Sequence, residues 1–357
     1  MATSNNEIIE VLKTIAPGTQ IREGLENILK AKTGGLIVIG DGKEVMDIVD
    51  GGFNINVEYS PARLYELAKM DGAIVISSDF KKILFANAQL IPSSSIQTVE
   101  TGTRHRTAER TAKQTGDLVI SISQRRNIIT IFKGNNRYVL EDTAQVITKA
   151  NQALQTVEKY MKVFDRKLNL LNEYEFNDIV TLEKVIVAIQ RAEMVMNVVD
   201  EVQKAIYELG EDGRLLEMQL EELVGDLETE ELLMIKDYMV VSRRRSPDKV
   251  LEEIRKLSYE ELMKSQVIAK LLGYEDFDNY DEVGVYTKGY RVLNKIPRMP
   301  SSIVENLVKS FKSFQHILAA DIPRLDEVDG IGEVRARTIK QSLRRMQEQF
   351  VFDNEII

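Results

Sequence analysis

The sequence contains no cysteine and only two histidines, His105 and His316, in 357 residues. The absence of cysteine excludes disulfides, thiol nucleophiles, zinc ribbons and iron–sulfur ligation, and it fits a reducing compartment. Two histidines without cysteine also disfavour a zinc site. Any bound metal is therefore expected to be a hard ion, Mg²⁺ or Mn²⁺, held by carboxylate and by substrate phosphate.

Long apolar runs are also missing. No stretch approaches the length needed to span a bilayer, so we expect no membrane association. Residues 1–7 contain neither a basic segment nor an apolar one, and we therefore expect no secretory signal. Together with the absence of cysteine, these features predict a cytoplasmic protein.

The net charge of −9 argues against a protein that coats nucleic acid along its whole surface. The charge is uneven, however. Residues 288–349 contain 12 Lys and Arg against 7 Asp and Glu, a local balance of +5 that leaves −14 for the rest. This asymmetry predicts a separate C-terminal unit with a polyanionic partner.

The chain is long enough for two or three domains, and its apolar and charged content is that of a globular protein. The first 145 residues alternate apolar strand-like runs with helical segments, and some connections are too short for parallel crossovers. They predict an α/β domain with a mixed sheet. Residues 146–287 show long helical periodicity and predict an all-helical linker domain. Residues 288–357 form the third predicted domain, so the predicted fold class is a multidomain protein with α and β structure.

The C-terminal unit contains a Gly-Ile-Gly turn, Gly330 to Gly332, between two helical segments. Glycines allow close approach to a phosphate, and a helix N-terminus offers free N–H groups with a positive dipole end. Arg335, Arg337 and Lys340 add positive charge. Gly-x-Gly alone occurs in many turns, but together with the charge reversal this segment resembles the helix-hairpin-helix motif. Residues 296–304 resemble a degenerate first copy, which predicts a tandem helix-hairpin-helix domain contacting DNA phosphates.

Two patches in the N-terminal domain attract attention. Asp71 precedes a fully apolar strand, and the small residues Gly72 and Ala73 leave room for a flat ligand while the carboxylate can hold a cation. Taken alone, this pattern is better explained as an ordinary turn into a strand. The second patch is residues 100–110, where three arginines and three threonines crowd a helix start. They favour a polyphosphate, because such cations repel one another without an anion. The alternative is a solvated helix start.

Asp71-Gly72-Ala73, followed about thirty residues later by Arg104-His105-Arg106, resembles the motif pair of the diadenylate cyclase family. With the helical middle and the helix-hairpin-helix end, the whole chain is similar to the bacterial DNA integrity scanning proteins. The resemblance implies condensation of two ATP into cyclic di-AMP with release of two pyrophosphates, dependence on Mg²⁺ or Mn²⁺, and a homo-octamer. Because that product has two-fold symmetry and the chain carries one copy of each motif, we expect face-to-face cyclase pairs within it. The resemblance also implies inhibition by branched DNA, such as recombination intermediates, and association with the nucleoid.

The resemblance also implies roles for individual residues. Asp71 would hold the metal, and Asp71, Arg104, His105 and Arg106 would form the catalytic set. The nucleotide would be bound by Gly72, Ala73, Leu90 at the adenine, Gly102, Thr103, Arg104, His105, Arg106, Thr107, Ser123 and Arg126. The alternative function is a non-enzymatic DNA-binding scaffold whose N-terminal domain senses a nucleotide.

Overall fold

The structure, a computed structural model, describes residues 2–241 and 245–353. Two compact units are distinguished: Met1–Ala153 with Glu201–Gln219, and Leu154–Asp200 with Leu220–Ile357. The division falls within three helices, Thr143–Phe176, Leu182–Leu209 and Arg214–Val224, and not at the predicted boundaries 145 and 287, which stay predictions. No helix of the described residues is long and apolar enough to cross a membrane.

The first unit contains the strands β1 Gly35–Ile39, β2 Val49–Asp50, β3 Phe53–Glu58, β4 Ala73–Ile76, β5 Lys82–Leu90, β6 Leu118–Ser123, β7 Ile128–Lys133 and β8 Asn136–Leu140. Over the described residues these eight strands form one sheet in the order β2–β5–β4–β1–β6–β7–β8, with β3 also paired to β5. The pair β1–β4 is parallel and the other pairs are antiparallel. The predicted mixed sheet is therefore confirmed.

The helices of the first unit are α1 Ala2–Thr14, α2 Gln20–Lys30, α3 Lys43–Met46, α4 Pro61–Leu67 and α5 Thr103–Thr115. Ser60 caps α4 by accepting from the Arg63 N–H, and Pro61 occupies its first turn. Gly116 ends α5 in the left-handed conformation with φ of 72°.

Both faces of the sheet are covered. On one face, the isoleucines of β1, β4, β6 and β7 pack with Leu12, Leu25 and Leu64 of α1, α2 and α4. On the other, β1, β4, β6 and β7 pack against Ala108 and Ala112 of α5. Burial on two faces explains why the central strands read as continuous apolar runs instead of alternating patterns.

The remaining helices are α6 Thr143–Phe176, α7 Leu182–Leu209, α8 Arg214–Val224, α9 Leu227–Tyr238, α10 Pro247–Ile254, α11 Tyr259–Leu262, α12 Ser265–Leu272, α13 Tyr290–Asn294, α14 Ser301–Phe311, α15 Phe314–Ala319, α16 Ile322–Asp326 and α17 Glu333–Asp353. Outside the first unit's sheet, one isolated bridge joins Thr181 and Gly284 among the described residues. The predicted helical character of the linker is thus confirmed.

A buried ion network lies at the start of α13. Arg291 is fully buried and pairs with Glu175 of α6, while its Nη1 donates to Asn172 Oδ1 over 2.5 Å. Asp237 of α9 accepts from the backbone N–H groups of Tyr290 and Arg291 at 2.7 and 3.0 Å. The first helix of the C-terminal segment is therefore fixed by charge to the linker helices α6 and α9.

The two C-terminal hairpins share one backbone plan. In the turn after α13, Met299 N–H donates to Ile296 and Arg298 has φ of 59°. In the turn after α16, Ile331 N–H donates to Val328 and Gly330 has φ of 80°. Arg298 thus occupies the left-handed position that glycine fills in the second hairpin, which is why the first copy looks degenerate in sequence.

The second hairpin packs on α14 of the first. Asn306 Nδ2 donates to Asp329 O at 2.9 Å, and a Cβ added to Gly330 would lie 2.6 Å from Ile303 Cδ1. The hairpins share one core that includes Leu307, Leu325 and Ile339. Residues 290–353 therefore pack as a pair of hairpins around one core, and their assignment as a tandem helix-hairpin-helix domain stays a prediction.

Candidate active site

The strand registers bring two predicted site residues, Asp71 and Ser123, to one edge of the sheet. Ile37 pairs with Ile74, and continuing this parallel register places Gly34 level with Asp71. On the other side Gly35 pairs with Ile122, which places Gly34 level with Ser123. Because neighbouring strands lie about 4.8 Å apart, Asp71 and Ser123 lie about two strand spacings apart along this edge.

The next strand along brings Leu90 to the same edge. Ala73 pairs with Ala88, so the last residues of β5 run alongside Asp71 and Gly72. The register of this pair shifts after Ala73, and Asn87 takes a left-handed φ of 55°. Such irregularities are common beside active sites.

Gly72 is required by both its conformation and its surroundings. Its φ is 87°, and an added Cβ would lie 2.8 Å from Ala88 O. Ala73 and Leu90 are buried in the apolar cluster beneath α5, with 0% and 8% of their surface exposed. Leu90 therefore forms part of the core at this edge, and its predicted contact with adenine stays a prediction.

The arginine motif occupies the N-terminus of α5, which begins at Thr103. Its N-cap, Gly102, has no side chain, so no side-chain cap shields the first N–H groups of this 13-residue helix. Arg104 and Thr107 are half-buried, whereas Thr103 and Arg106 are exposed. The free N–H groups and the helix dipole therefore favour an anion where the sequence predicted the triphosphate.

His105 is half-buried within a set of charges. Burial and the nearby Arg126, Arg137 and Arg104 lower the pKa of His105, while Glu100 raises it, and the net shift is downward. Its Nε2 is buried and finds no hydrogen-bond partner within the described part of the chain. A neutral imidazole with an unused nitrogen is chemically suited to exchange a hydrogen bond with a ligand.

Ser123 and Arg126 belong to the turn between β6 and β7. Ser123 Oγ accepts from the Arg126 N–H at 3.2 Å, and Ser123 O accepts from the Asn127 N–H at 2.8 Å. The positive charge of Arg126 is among the causes that lower the pKa of His105 in the arginine motif. The structure thus brings Arg126, with Ser123 bonded to it, towards the motif that starts α5.

The segment from 91 to 99, absent from the predicted site, is fastened to α5. Buried Glu109 accepts from Val99 N–H at 3.2 Å and from the Thr98 hydroxyl, and it pairs with Lys113 at 2.7 Å. Burial raises the pKa of Glu109, but the hydrogen bonds from Lys113 and Thr98 outweigh it and hold that pKa below its usual value. The sequence of α5 is typical of a solvent-exposed helix, so nothing in it indicates that Glu109 is buried.

Asp71 is suited to bind a metal ion that enters the site already bound to its ligand. Its carboxylate is exposed and has no partner in the residues that the structure covers. Across 2–241 and 245–353, no group of three or more acidic or histidine side chains could hold an ion. A single carboxylate leaves most of the coordination sphere of Mg²⁺ or Mn²⁺ to phosphate oxygens and water, which matches ions bound through nucleotides.

A cavity of about 600 Å³ lies away from these residues, between α2, the β7–β8 pair and the start of α6. Arg22, Lys30 and Lys149 are among its lining residues, and Asn127 is its nearest link in sequence to the predicted site. None of the predicted nucleotide-binding residues lines it. The predicted site is therefore an open edge rather than this cavity.

The predicted DNA-binding residues surround the second hairpin. Arg335 donates to Gly330 O, and Arg337 pairs with Glu333 at 2.6 Å. Lys340 donates to the carbonyls of Leu318 and Ala320 at 2.7 and 2.8 Å, where it caps the end of α15. Lys340 therefore has a structural partner, whereas Gly332 has open space around it.

Two family models match the chain. The model described as DisA bacterial checkpoint controller nucleotide-binding covers residues 22–137, which contain the sheet edge and the arginine motif. The model described as DisA bacterial checkpoint controller linker region covers residues 140–280. Together they extend over more than half of the sequence.

Full-length relatives share most of the sequence. The DNA integrity scanning protein DisA of Clostridium botulinum (strain Eklund 17B / Type B) is 56% identical over 350 residues, covering 98% of each chain. The protein of the same name from Clostridium kluyveri is 54% identical over 349 residues, again covering 98% of each. A double mutant of DacA from Staphylococcus aureus is similar at 21% identity and a TM-score of 0.30, covering 37% of this chain and 88% of that one.

Proposed function

Because the chain belongs to the family of DNA integrity scanning proteins and is a diadenylate cyclase, a nucleotidyltransferase, we propose that it joins two ATP molecules into cyclic di-AMP. In each of two identical steps, the 3′-oxygen of one ATP attacks the α-phosphorus of the other. One P–O bond forms, the bond to the leaving pyrophosphate breaks, and the hydroxyl proton passes to solvent or a base.

The observation that carries this proposal is a group of arginines without acidic partners. Arg104, Arg106 and Arg126 have neither an ion pair nor a hydrogen bond from their guanidinium groups to any residue that the structure describes. Nearby Arg137, by contrast, pairs with Glu100 at 2.5 Å, and Arg110 donates to Ile96 O at 2.9 Å. Unpaired guanidinium groups at a helix N-terminus are suited to a triphosphate.

The chain's own residues position the nucleotide and neutralise the charge on its phosphates. Gly72 and Ala73 keep the sheet edge free of bulk, so that a nucleotide can approach the strand. Arg104, Arg106 and the N–H groups of α5 stabilise the charge that develops on the departing pyrophosphate. A bound Mg²⁺ or Mn²⁺, held by Asp71 and phosphate oxygens, would supply further charge neutralisation and lower the pKa of the attacking hydroxyl.

The reaction requires two copies of the site. Each chain carries one Asp-Gly-Ala motif and one Arg-His-Arg motif, whereas cyclic di-AMP has two equivalent bonds. Two chains related by a two-fold axis would present each 3′-hydroxyl to the other's α-phosphorus, which is an isologous contact. We infer that such pairs assemble further into the octamer that the family resemblance implied.

The C-terminal hairpins are the proposed DNA-binding module. They share a core, they carry the local positive balance, and the second presents open space at Gly332 beside the N-terminus of α17. Contacts of this kind bind phosphates without reading sequence. Branched DNA bound here would inhibit the cyclase, and this binding would place the protein at the nucleoid.

Incubation of the purified protein with ATP and Mn²⁺, followed by separation of the nucleotides, tests the activity. We expect cyclic di-AMP and two equivalents of pyrophosphate. A protein that binds ATP and releases it unchanged would instead be the nucleotide-sensing scaffold. The same assay with a four-way DNA junction added should show a lower rate, while a short single strand serves as the control.

A further inference from the structure

The guanidinium group of Arg104 lies against the backbone of Gly34, the residue before β1. A Cβ built on Gly34 would overlap Nη1 of Arg104 and would lie 3.0 Å from its Cζ. The same Cβ would lie 3.3 Å from the carbonyl oxygen of Ile122 in β6. The space that a side chain at position 34 needs is therefore taken by the head of Arg104.

The backbone itself does not require glycine at this position. Gly34 is not among the residues with positive φ, so an alanine could adopt its conformation. The adjacent Gly35 differs in one respect. Its added Cβ would meet Ile122 Cδ1 at 3.6 Å, an ordinary van der Waals contact. The two glycines thus form a matched pair, of which one adjoins Arg104 and the other does not.

Position 34 is also central to the site edge. The registers place Gly34 level with Asp71 on one side and with Ser123 on the other. The head of Arg104 therefore lies over the strand between these two residues. With no carboxylate in the described chain to hold it, its position depends on the space that Gly34 leaves.

We propose that Gly34 is a positioning residue, whose missing side chain forms a slot that aligns the Arg104 guanidinium with the triphosphate of ATP. The inference rests on the proposed function, because it assumes that Arg104 binds phosphate. A long arginine side chain loses much rotamer freedom when it binds a ligand, and a preformed slot removes part of that loss before ATP arrives.

The test compares Gly34→Ala with Gly35→Ala in the full-length protein. A methyl group at position 34 should displace the Arg104 head and raise the KM for ATP about tenfold, with a smaller effect on kcat. Gly35→Ala should stay within about twofold of wild type in both. A general folding defect would lower kcat by reducing the active fraction and would leave KM unchanged, so the two constants separate positioning from structure.

A double-mutant cycle with Arg104→Ala completes the test. If the slot acts through Arg104, Gly34→Ala should change the KM little in a chain that already lacks this arginine. An equal rise in KM with and without Arg104 would overturn the inference, and so would a wild-type KM in Gly34→Ala. A wild-type KM in Arg104→Ala alone would instead refute the phosphate-binding role of Arg104 on which the inference rests.

Discussion

Asp71 is an exposed carboxylate that stands alone at the edge of the sheet. Its one feature beyond charge is its position, level with the strand end at Gly34 and next to the close approach of Gly72 to Ala88. A residue with no structural partner can be changed with little loss of stability. This makes it the clearest single-residue test of the metal role.

We expect Asp71→Asn to reduce cyclic di-AMP synthesis by at least about a hundredfold at saturating ATP, because an amide holds a divalent cation poorly. The thermal midpoint should stay within about 1 °C of wild type, since no described contact is lost. The rate is measured with Mn²⁺ from micromolar to millimolar concentrations. Near-normal turnover at every concentration would show that Asp71 does not hold the metal.

A pair of buried acids joins two helices of the linker. Glu193 of α7 and Glu231 of α9 have 3% and 0% of their surface exposed, and they interact with one another. The pKa of Glu231 is raised from its ordinary value of 4.5 to about 9. Burial is the largest cause, and the negative charge of neighbouring Glu193 is the next. At neutral pH the pair therefore retains a proton, which the unfolded chain would release.

The stability of the protein should consequently fall as pH rises from neutral towards 9. In this range the folded state binds more protons than the unfolded state, so the slope is negative and reaches up to about 1.4 kcal/mol per pH unit. Glu231→Gln should flatten the dependence, whereas the exposed Glu252→Gln should not. Chemical unfolding at pH 7, 8 and 9 gives the comparison, and parallel curves for the two variants would contradict the expectation.

At the level of elements, much of the fold follows from local patterns. The runs at 36–39, 72–77 and 118–123 predicted β1, β4 and β6 because strands buried on both faces are apolar throughout. Ser60-Pro61 and Gly116 marked helix ends by their own chemistry. The strands β2, β3 and β8 were not predicted. β2 has only two residues, β3 is mostly exposed, and β8 (Asn-Arg-Tyr-Val-Leu) has one buried residue, so none of them carries such a run.

Some residues of the candidate site could likewise be predicted from the sequence, and others could not. The motif residues at 71–73 and 102–107 were identifiable because their chemistry is local and they resemble a family pattern. Gly34 was not, because its role depends on a side chain seventy residues away that only the fold brings near. Glu109 was missed for the same reason, as its partners at 98 and 99 lie on a loop that gives no signal.

On the scale of the whole molecule, an active site made of two halves depends on association. Chains that carry Asp71→Asn should poison wild-type chains in a mixed assembly, because a mixed pair can make one bond but not the second. With a ninefold excess of the variant, co-expressed and purified by two tags, linear pppApA should accumulate and cyclic product per wild-type chain should fall several-fold. Unchanged cyclic product per wild-type chain would show that each chain works alone.

DNA binding can be tested without removing any segment. Gly332→Ala adds one methyl group to open space, so the fold should tolerate it, but the methyl group would keep a phosphate from the N-terminus of α17. Loss of one such charged hydrogen bond, at about 1.5–3 kcal/mol, predicts at least about tenfold weaker DNA binding. Gly284→Ala, which also enters open space in the same unit, is the control. Equal affinities in a gel shift would exclude this hairpin from the DNA contact.

The buried Arg291 network has a practical consequence for protein engineers. Suppose that the segment from Lys288 onward, with its hairpin pair, were transferred to another scaffold. Glu175 and Asp237 would stay in the original protein, which would keep two buried acids without Arg291. Stranding a buried charge in this way typically destabilises a protein by about 3–5 kcal/mol. Chimeras between relatives should therefore exchange α6 and α9 together with the hairpins, so that the module is inherited with its electrostatic anchor.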